Sequence, residues 1–250
     1  MAKPALRPDP ELVLARLAQE FGFPRHGNPK DVFYCAVYVL LSAQTTLEQA
    51  TAALKLLRRR WPTATALSRA RSDAILRSVR SCGFGATRTA KIRALARTVA
   101  GRATSLRALK KLEDAALEAE LVALPGIGFK SARVVAAMSS FERDRFAIDT
   151  HVWRIAQRLG WIPRRRTNRK PTERQANALE AMIPLGARRQ LHACIVALGR
   201  TYCRPLRPRC GECPLRGVCL HAANLPASDG TRGNNQSSPR VHAREGDPRS

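Results

Sequence analysis

An all-α fold is predicted by three features of this sequence. Apolar residues recur at the i, i+3, i+4 spacing of a helix face in segment after segment, helix start signals precede several of these, and no stretch reads as a half-buried strand. Aromatic residues make up only 5% of the 250, a poor supply for sheets, which favour aromatic and β-branched side chains.

The first helix follows Asp9-Pro10, an N-cap with proline at the first helical position, and Leu14, Leu17, Ala18 and Phe21 then line one face. Asn28-Pro29 repeats the start signal, with Asp31 in the first turn favoured by the helix dipole. Further helical patterns are expected over 29–43, 46–60, 67–80, 88–101, 112–123, 129–139, 150–159, 172–182 and 187–201, separated by short Gly, Pro or Ser/Thr punctuation. Residues 163–171 form a basic loop bounded by prolines, read as a solvated connector or a phosphate contact. Residues 222–250 lack apolar periodicity and are rich in Ser, Pro, Gly, Asn and Arg, so a disordered tail is predicted there.

A chain of this length can bury a substantial core as one large domain or two small ones. With 44 Lys plus Arg against 19 Asp plus Glu, the formal net charge is +25. That excess costs stability through self-repulsion unless a polyanion neutralises it, and nucleic acid is the leading candidate. No apolar run reaches the length of a membrane span and acidic residues come too early for a signal peptide, so an intracellular protein, cytoplasmic or at the nucleoid, is expected. Cys35, Cys82 and Cys194 are scattered through apolar helical stretches and read as small core residues in a reducing compartment.

The other four cysteines, Cys203, Cys210, Cys213 and Cys219, form a C-x6-C-x2-C-x5-C frame within a turn-prone segment. Four soft thiolates so close together suit one inorganic centre, either an iron–sulfur cluster or zinc. Structural zinc sites usually pair two short knuckles, and only Cys210 and Cys213 make one here. Mid-chain, Leu117, Leu121 and Leu124 mark one helix face, Leu124-Pro125-Gly126-Ile127-Gly128 makes a sharp turn, and Ala132, Val135 and Ala136 mark the next face. This is a helix-hairpin-helix. Gly126 and Gly128 leave backbone N–H groups at the second helix start open to a phosphate, with an ordinary interhelix turn as the alternative. Lys130 follows the hairpin, and Asp149 lies within Ala147-Ile148-Asp149-Thr150-His151-Val152.

Together the L-P-G-I-G-x-K-S-A segment, A-I-D-T-H-V-W-R, the cysteine frame and Leu40-Leu41-Ser42-Ala43-Gln44-Thr45-Thr46 strongly resemble endonuclease III, the bifunctional DNA glycosylase family of the helix-hairpin-helix superfamily, in the same order over residues 10–220. The resemblance implies two helical domains with a DNA-binding cleft between them. Residues 1–27 and 145–221 would form an iron–sulfur domain from both chain ends, and 28–144 a helical barrel with its hairpin at 112–139. It implies a 4Fe-4S cluster on the four cysteines, with Arg204, Arg207 and Arg209 in a basic loop against DNA, and a monomer acting on duplexes that contain damaged bases or abasic sites.

The implied activity is excision of oxidised pyrimidines and strand cleavage by β-elimination. Lys130 matches the nucleophilic lysine, against a bland role as a phosphate-binding side chain. Asp149 matches the catalytic aspartate, against a bland role as an N-cap. Gln44 matches the residue that fills the hole left by a flipped nucleotide, and Phe84 an apolar wedge on the opposite strand; unaided, they read as a helix-end polar residue and a core aromatic. His151 is expected to line the pocket. Two departures bear on substrate choice: Leu47 stands where the family usually carries Asp, and Phe129 where a basic residue is common. A weakly active or non-catalytic paralogue that binds distorted DNA is one alternative. An adenine-mismatch glycosylase is the other, though that group lacks the Schiff-base lysine.

Overall fold

The computed structural model describes residues 7–24, 27–164 and 171–225, and these form helices, turns and loops. Helix α1 (Pro10–Phe21) starts as predicted, with the Asp9 carboxylate accepting the Glu11 amide at 2.6 Å. Helix α2 (Val32–Ser42) starts later than Asn28-Pro29 suggested because Asp31 is itself the cap, its Oδ1 accepting the Tyr34 amide at 2.8 Å. Helix α3 (Leu47–Arg60) opens with a capping box between Thr46 and Gln49.

The single helix expected over 67–80 is instead α4 (Ala64–Ser68), α5 (Ser72–Val79) and a 3-10 turn at Arg80–Cys82. The break falls at Arg71, which is extended at ψ 140° and starts α5 without a side-chain cap. Helix α6 (Gly85–Ala100) begins before residue 88, straight after the turn at Gly83-Phe84. The next four, α7 (Asp114–Val122), α8 (Phe129–Met138), α9 (Thr150–Leu159) and α10 (Glu173–Ala181), fall within a residue or two of expectation, as does α11 (Arg188–Thr201). A short helix α12 (Leu220–Ala223) was not expected, and it carries ordered chain past residue 222, where the tail was placed. The remainder of that tail, 226–250, and residues 165–170 of the basic loop lie outside the described residues.

The helices form two bodies, each around its own core. In the first, every residue from Val32 to Leu41 is buried, so α2 has no solvent face and serves as the axis of a helical barrel. Helices α3, α6 and α8 pack around it. The second body draws on both chain ends: Val13 and Leu17 of α1 meet apolar residues of α9, α10 and α11 and Leu215 of the cysteine loop. The Trp161 indole N–H, donating to the Pro8 carbonyl at 2.7 Å, pins the start of α1 to the end of α9. Among the described residues no helix is long and apolar enough to cross a membrane.

The chain passes between the bodies in extended form. Phe146 and Ile148 enter the second core while Ala147 between them enters the first, the two-residue alternation of extended backbone. Such a segment has no neighbouring strand, so its buried peptide groups need side-chain partners. The Phe146 N–H donates to Glu180 Oε1 at 2.8 Å, and the Ala147 carbonyl accepts from His192 Nδ1 at 2.7 Å. Glu180 also meets Arg133 of α8 at 2.8 Å and Arg145 at 3.2 Å, while Glu118 of α7 meets the same two arginines at 3.3 and 2.8 Å. Two acids and two arginines are thereby neutralised across α7, α8, α10 and the crossing segment.

This network yields a stability prediction. Glu180→Gln retains an acceptor for the Phe146 amide but removes the nearer of the two carboxylates facing Arg133, whose side chain is only 3% exposed. Removing one partner of a buried ion pair costs about 3–5 kcal/mol, so denaturant unfolding should show a loss of that size. A loss below about 1 kcal/mol would mean that Glu118 alone, with water or side-chain movement, compensates Arg133.

Candidate active site and cysteine loop

The hairpin connects α7 to α8 through a turn whose bend depends on Gly126, at φ 79°. A Cβ at Gly126 would come within 3.1 Å of Leu40 Cδ2 and 3.4 Å of Lys91 Cδ. The turn therefore leans on α2 and α6, the helices whose ends carry Gln44 and Phe84. Gly128 is the N-cap of α8, and a Cβ there would meet nothing within 4 Å. Gly128 is also exposed, so no side chain screens the start of α8 from an anion.

Lys130 occupies the second position of α8 and is exposed. Asp149 enters from the crossing segment as the N-cap of α9, with Oδ1 accepting the Val152 amide at 2.8 Å. The bland role assigned to Asp149 is therefore real, and it coexists with Lys130 lying within electrostatic reach. Burial alone would raise the Asp149 carboxyl; the imidazoles of His192 and His151, the Val152 amide and the Lys130 ammonium outweigh that and hold it below its ordinary value. Helix α8 of the first body and the α9 cap of the second thus set a cation and an ionised carboxylate in each other's field.

Gln44 and Phe84 share an unusual backbone. Gln44 follows the end of α2 at φ 53°, and Phe84 precedes α6 at φ 50°, both in the left-handed region that costs a non-glycine residue about 1–2 kcal/mol. Phe84 is 67% exposed, which excludes the core-aromatic reading. Gln44 is also exposed. His151 is half-buried against α11, where a Cβ on Gly199 would lie 2.3 Å from its Nδ1; that glycine makes room for the ring. Arg154 Nη2 lies 3.1 Å from the same nitrogen. Burial lowers the imidazole pKa, with Asp149 opposing and Arg154 and Arg200 reinforcing the shift.

Three contributors escaped the sequence reading. His192 is buried, holds the Ala147 carbonyl and lies in the field of Asp149. Gly199 accommodates His151. Arg88, 5% exposed, reaches backbone carbonyls just before both Gln44 and Phe84. All three act across the chain, and no local motif signals them. The two departures also find places: Phe129 packs toward the second core with the Arg133 guanidinium 4.1 Å over its ring, and Leu47 lies exposed at the start of α3.

The cysteine loop hangs from α9. Arg154 donates to the Cys203 carbonyl at 2.9 Å, and Arg158 donates to Cys203 Sγ at 3.0 Å and to the carbonyls of Arg204 and Pro205. Arg204, Arg207 and Arg209 are exposed along the loop. All four thiols are free and partly buried, and Cys203, Cys210 and Cys219 are each within electrostatic reach of Cys213. Burial pushes the Cys213 thiol up to about 11. Among the described residues no group of three or more His, Cys, Asp or Glu stands at metal-binding geometry. The donor set suits a four-thiolate centre in its chemistry: four cysteines without disulfides on one short loop, beside two arginines that would offset thiolate charge.

Comparisons with known proteins converge. Residues 37–181 match the family described as HhH-GPD superfamily base excision DNA repair protein. Endonuclease III of Thermotoga maritima is 30% identical over 209 residues, covering 83% of this chain and 92% of that protein. Endonuclease III-like protein 1 of Mus musculus is 29% identical over 221 residues, covering 88% and 70%. Among solved structures, a non-covalent endonuclease III–DNA complex aligns with TM-score 0.70 at 23% identity, covering 85% of this chain and 94% of that one. A thermostable thymine-DNA glycosylase aligns with TM-score 0.69 at 15% identity, covering 86% and 97%. The fold is thus shared with several glycosylases, while the matched segment holds both Lys130 and Asp149. This chain belongs to the HhH-GPD superfamily of base excision DNA repair proteins.

Proposed function

We propose that this protein excises oxidised pyrimidines from duplex DNA and then cleaves the strand at the abasic site. The observation that carries the reading is the placement of Lys130, exposed at the open end of the hairpin, in the field of an ionised Asp149. The likeness to proteins named endonuclease III supports it.

The hairpin amides and Gly128 bind the backbone, and Gln44 fills the space left by the extruded nucleotide while Phe84 wedges the other strand. Lys130, as the free amine, bonds to C1′ as the glycosidic bond breaks, and the base departs with that electron pair and gains a proton. Opening of the sugar leaves a Schiff base on Lys130; loss of a C2′ proton and departure of the 3′ phosphate complete β-elimination, and hydrolysis frees the amine. A carboxyl held below its ordinary value is a weak base, so the main role of Asp149 is to stabilise positive charge developing on the sugar. Cys203, Cys210, Cys213 and Cys219 would hold a 4Fe-4S cluster, which braces the loop bearing Arg204, Arg207 and Arg209 and takes no part in bond breaking.

Borohydride should trap a covalent adduct between the protein and an abasic-site duplex, and Lys130→Gln should abolish it. Persistent trapping would assign the chemistry to another amine. Asp149→Asn keeps the cap and loses the charge, so single-turnover excision should fall about 100-fold while duplex affinity and thermal melting stay near parental. Parental excision would reduce Asp149 to its capping role. Protein purified without oxygen should contain about four iron and four sulfide per chain; stoichiometric zinc without sulfide would replace the cluster with a zinc site.

A further inference from the structure

Arg88 is a buried cation that makes no ion pair among the described residues, and its guanidinium is surrounded by carbonyl oxygens. Its Nε donates to Gly83 O at 2.8 Å and its Nη2 to Cys82 O at 3.0 Å, while Nη1 and Nη2 also bond to Leu40 O and Ala43 O. Two of these acceptors immediately precede the left-handed residues: Ala43 before Gln44, and Gly83 before Phe84. The other two close the last turn of α2 and the 3-10 turn Arg80–Cys82, so two C-terminal dipole ends converge on one positive charge. The turns are about forty residues apart in the chain, and among the described hydrogen bonds Arg88 is the side chain that ties both.

We infer that Arg88 is a positioning residue that sets the distance between Gln44 and Phe84, so that the two enter a duplex as one rigid pair. This rests on the reading of Gln44 as gap filler and Phe84 as wedge. A planar guanidinium with five donors can hold both turns at once; a lysine keeps the charge but has only three donors on one nitrogen. Each probe is exposed and would otherwise swing with its own turn, and a small displacement at this point lowers excision because extruding the base depends on both strands being met together.

The test is a double-variant cycle in the full-length protein, measuring single-turnover excision of one damaged pyrimidine, first paired in a duplex and then in an unpaired bubble. Arg88→Lys should fold with a parental far-UV spectrum and excise the paired lesion about 10-fold or more slowly, yet excise the bubble lesion within about twofold of parent, since no stacked hole must then be filled. In a Gln44→Ala/Phe84→Ala background, Arg88→Lys should add no further loss on the paired lesion. Equal losses on both substrates, additive losses in the cycle, or a parental rate on the paired lesion would overturn the inference. So would failure of both Arg88→Lys and Arg88→Gln to fold, which would make Arg88 a plain core residue. If Gln44→Ala/Phe84→Ala alone excises at the parental rate, the probe roles themselves fall, and the clamp with them.

Discussion

The peptide groups of Phe146 and Ala147 are the constraint on which the rest of this structure depends. They are buried between two helical bodies with no strand alongside, and an unmet buried amide or carbonyl costs about 1–3 kcal/mol. Glu180 and His192 meet them from α10 and α11, and the charge on Glu180 then brings in Arg133 and Arg145. Satisfying two backbone groups thus joins the hairpin helix α8 to the second body. It also fixes where the next residue but one, Asp149, leaves the crossing segment.

From that point α9 acts as a shared beam. Its cap is Asp149, its first turn carries His151, and its later turns carry Arg154 and Arg158, which hold the cysteine loop by the Cys203 carbonyl and sulfur. Gly199 lets α11 approach the His151 ring more closely than any side chain there would allow. The candidate active site and the cysteine loop are therefore two ends of one helix, placed by the same packing. The cysteine loop reaches back into the second core through Leu215, which is 1% exposed, so the loop belongs to that body's packing as well as to its surface.

Charge follows a similar division. Some acids are taken up by local arginines: Asp73 by Arg71 and Arg77, Glu212 by Arg209. Exposed pairs of this kind contribute little stability, but they remove negative field that would oppose a polyanion. The positive excess of the +25 chain then includes the exposed Lys130 at the hairpin and Arg204 and Arg207 on the cysteine loop. Its attraction for phosphate is long-range and falls with salt.

What the sequence determined by itself is what short-range physics writes into neighbouring residues. Asp9-Pro10 sets the start of α1, apolar spacing sets the helix faces, and Pro125, Gly126 and Gly128 set the hairpin, because caps, periodicity and left-handed turns need only a few consecutive residues. The cysteine frame is legible for the same reason. Where local signals compete, the reading slips: Asp31 captured the cap that Asn28 seemed to offer, and Arg71 split a helix whose apolar pattern ran on. Only the tertiary structure decided that Phe84 stands out in solvent, that Arg88 bridges two turns, and that Glu180 and His192 support the path of Asp149. The last two turn on contacts between backbone groups and side chains 34 to 48 residues away, and no spacing rule along the chain encodes such partners.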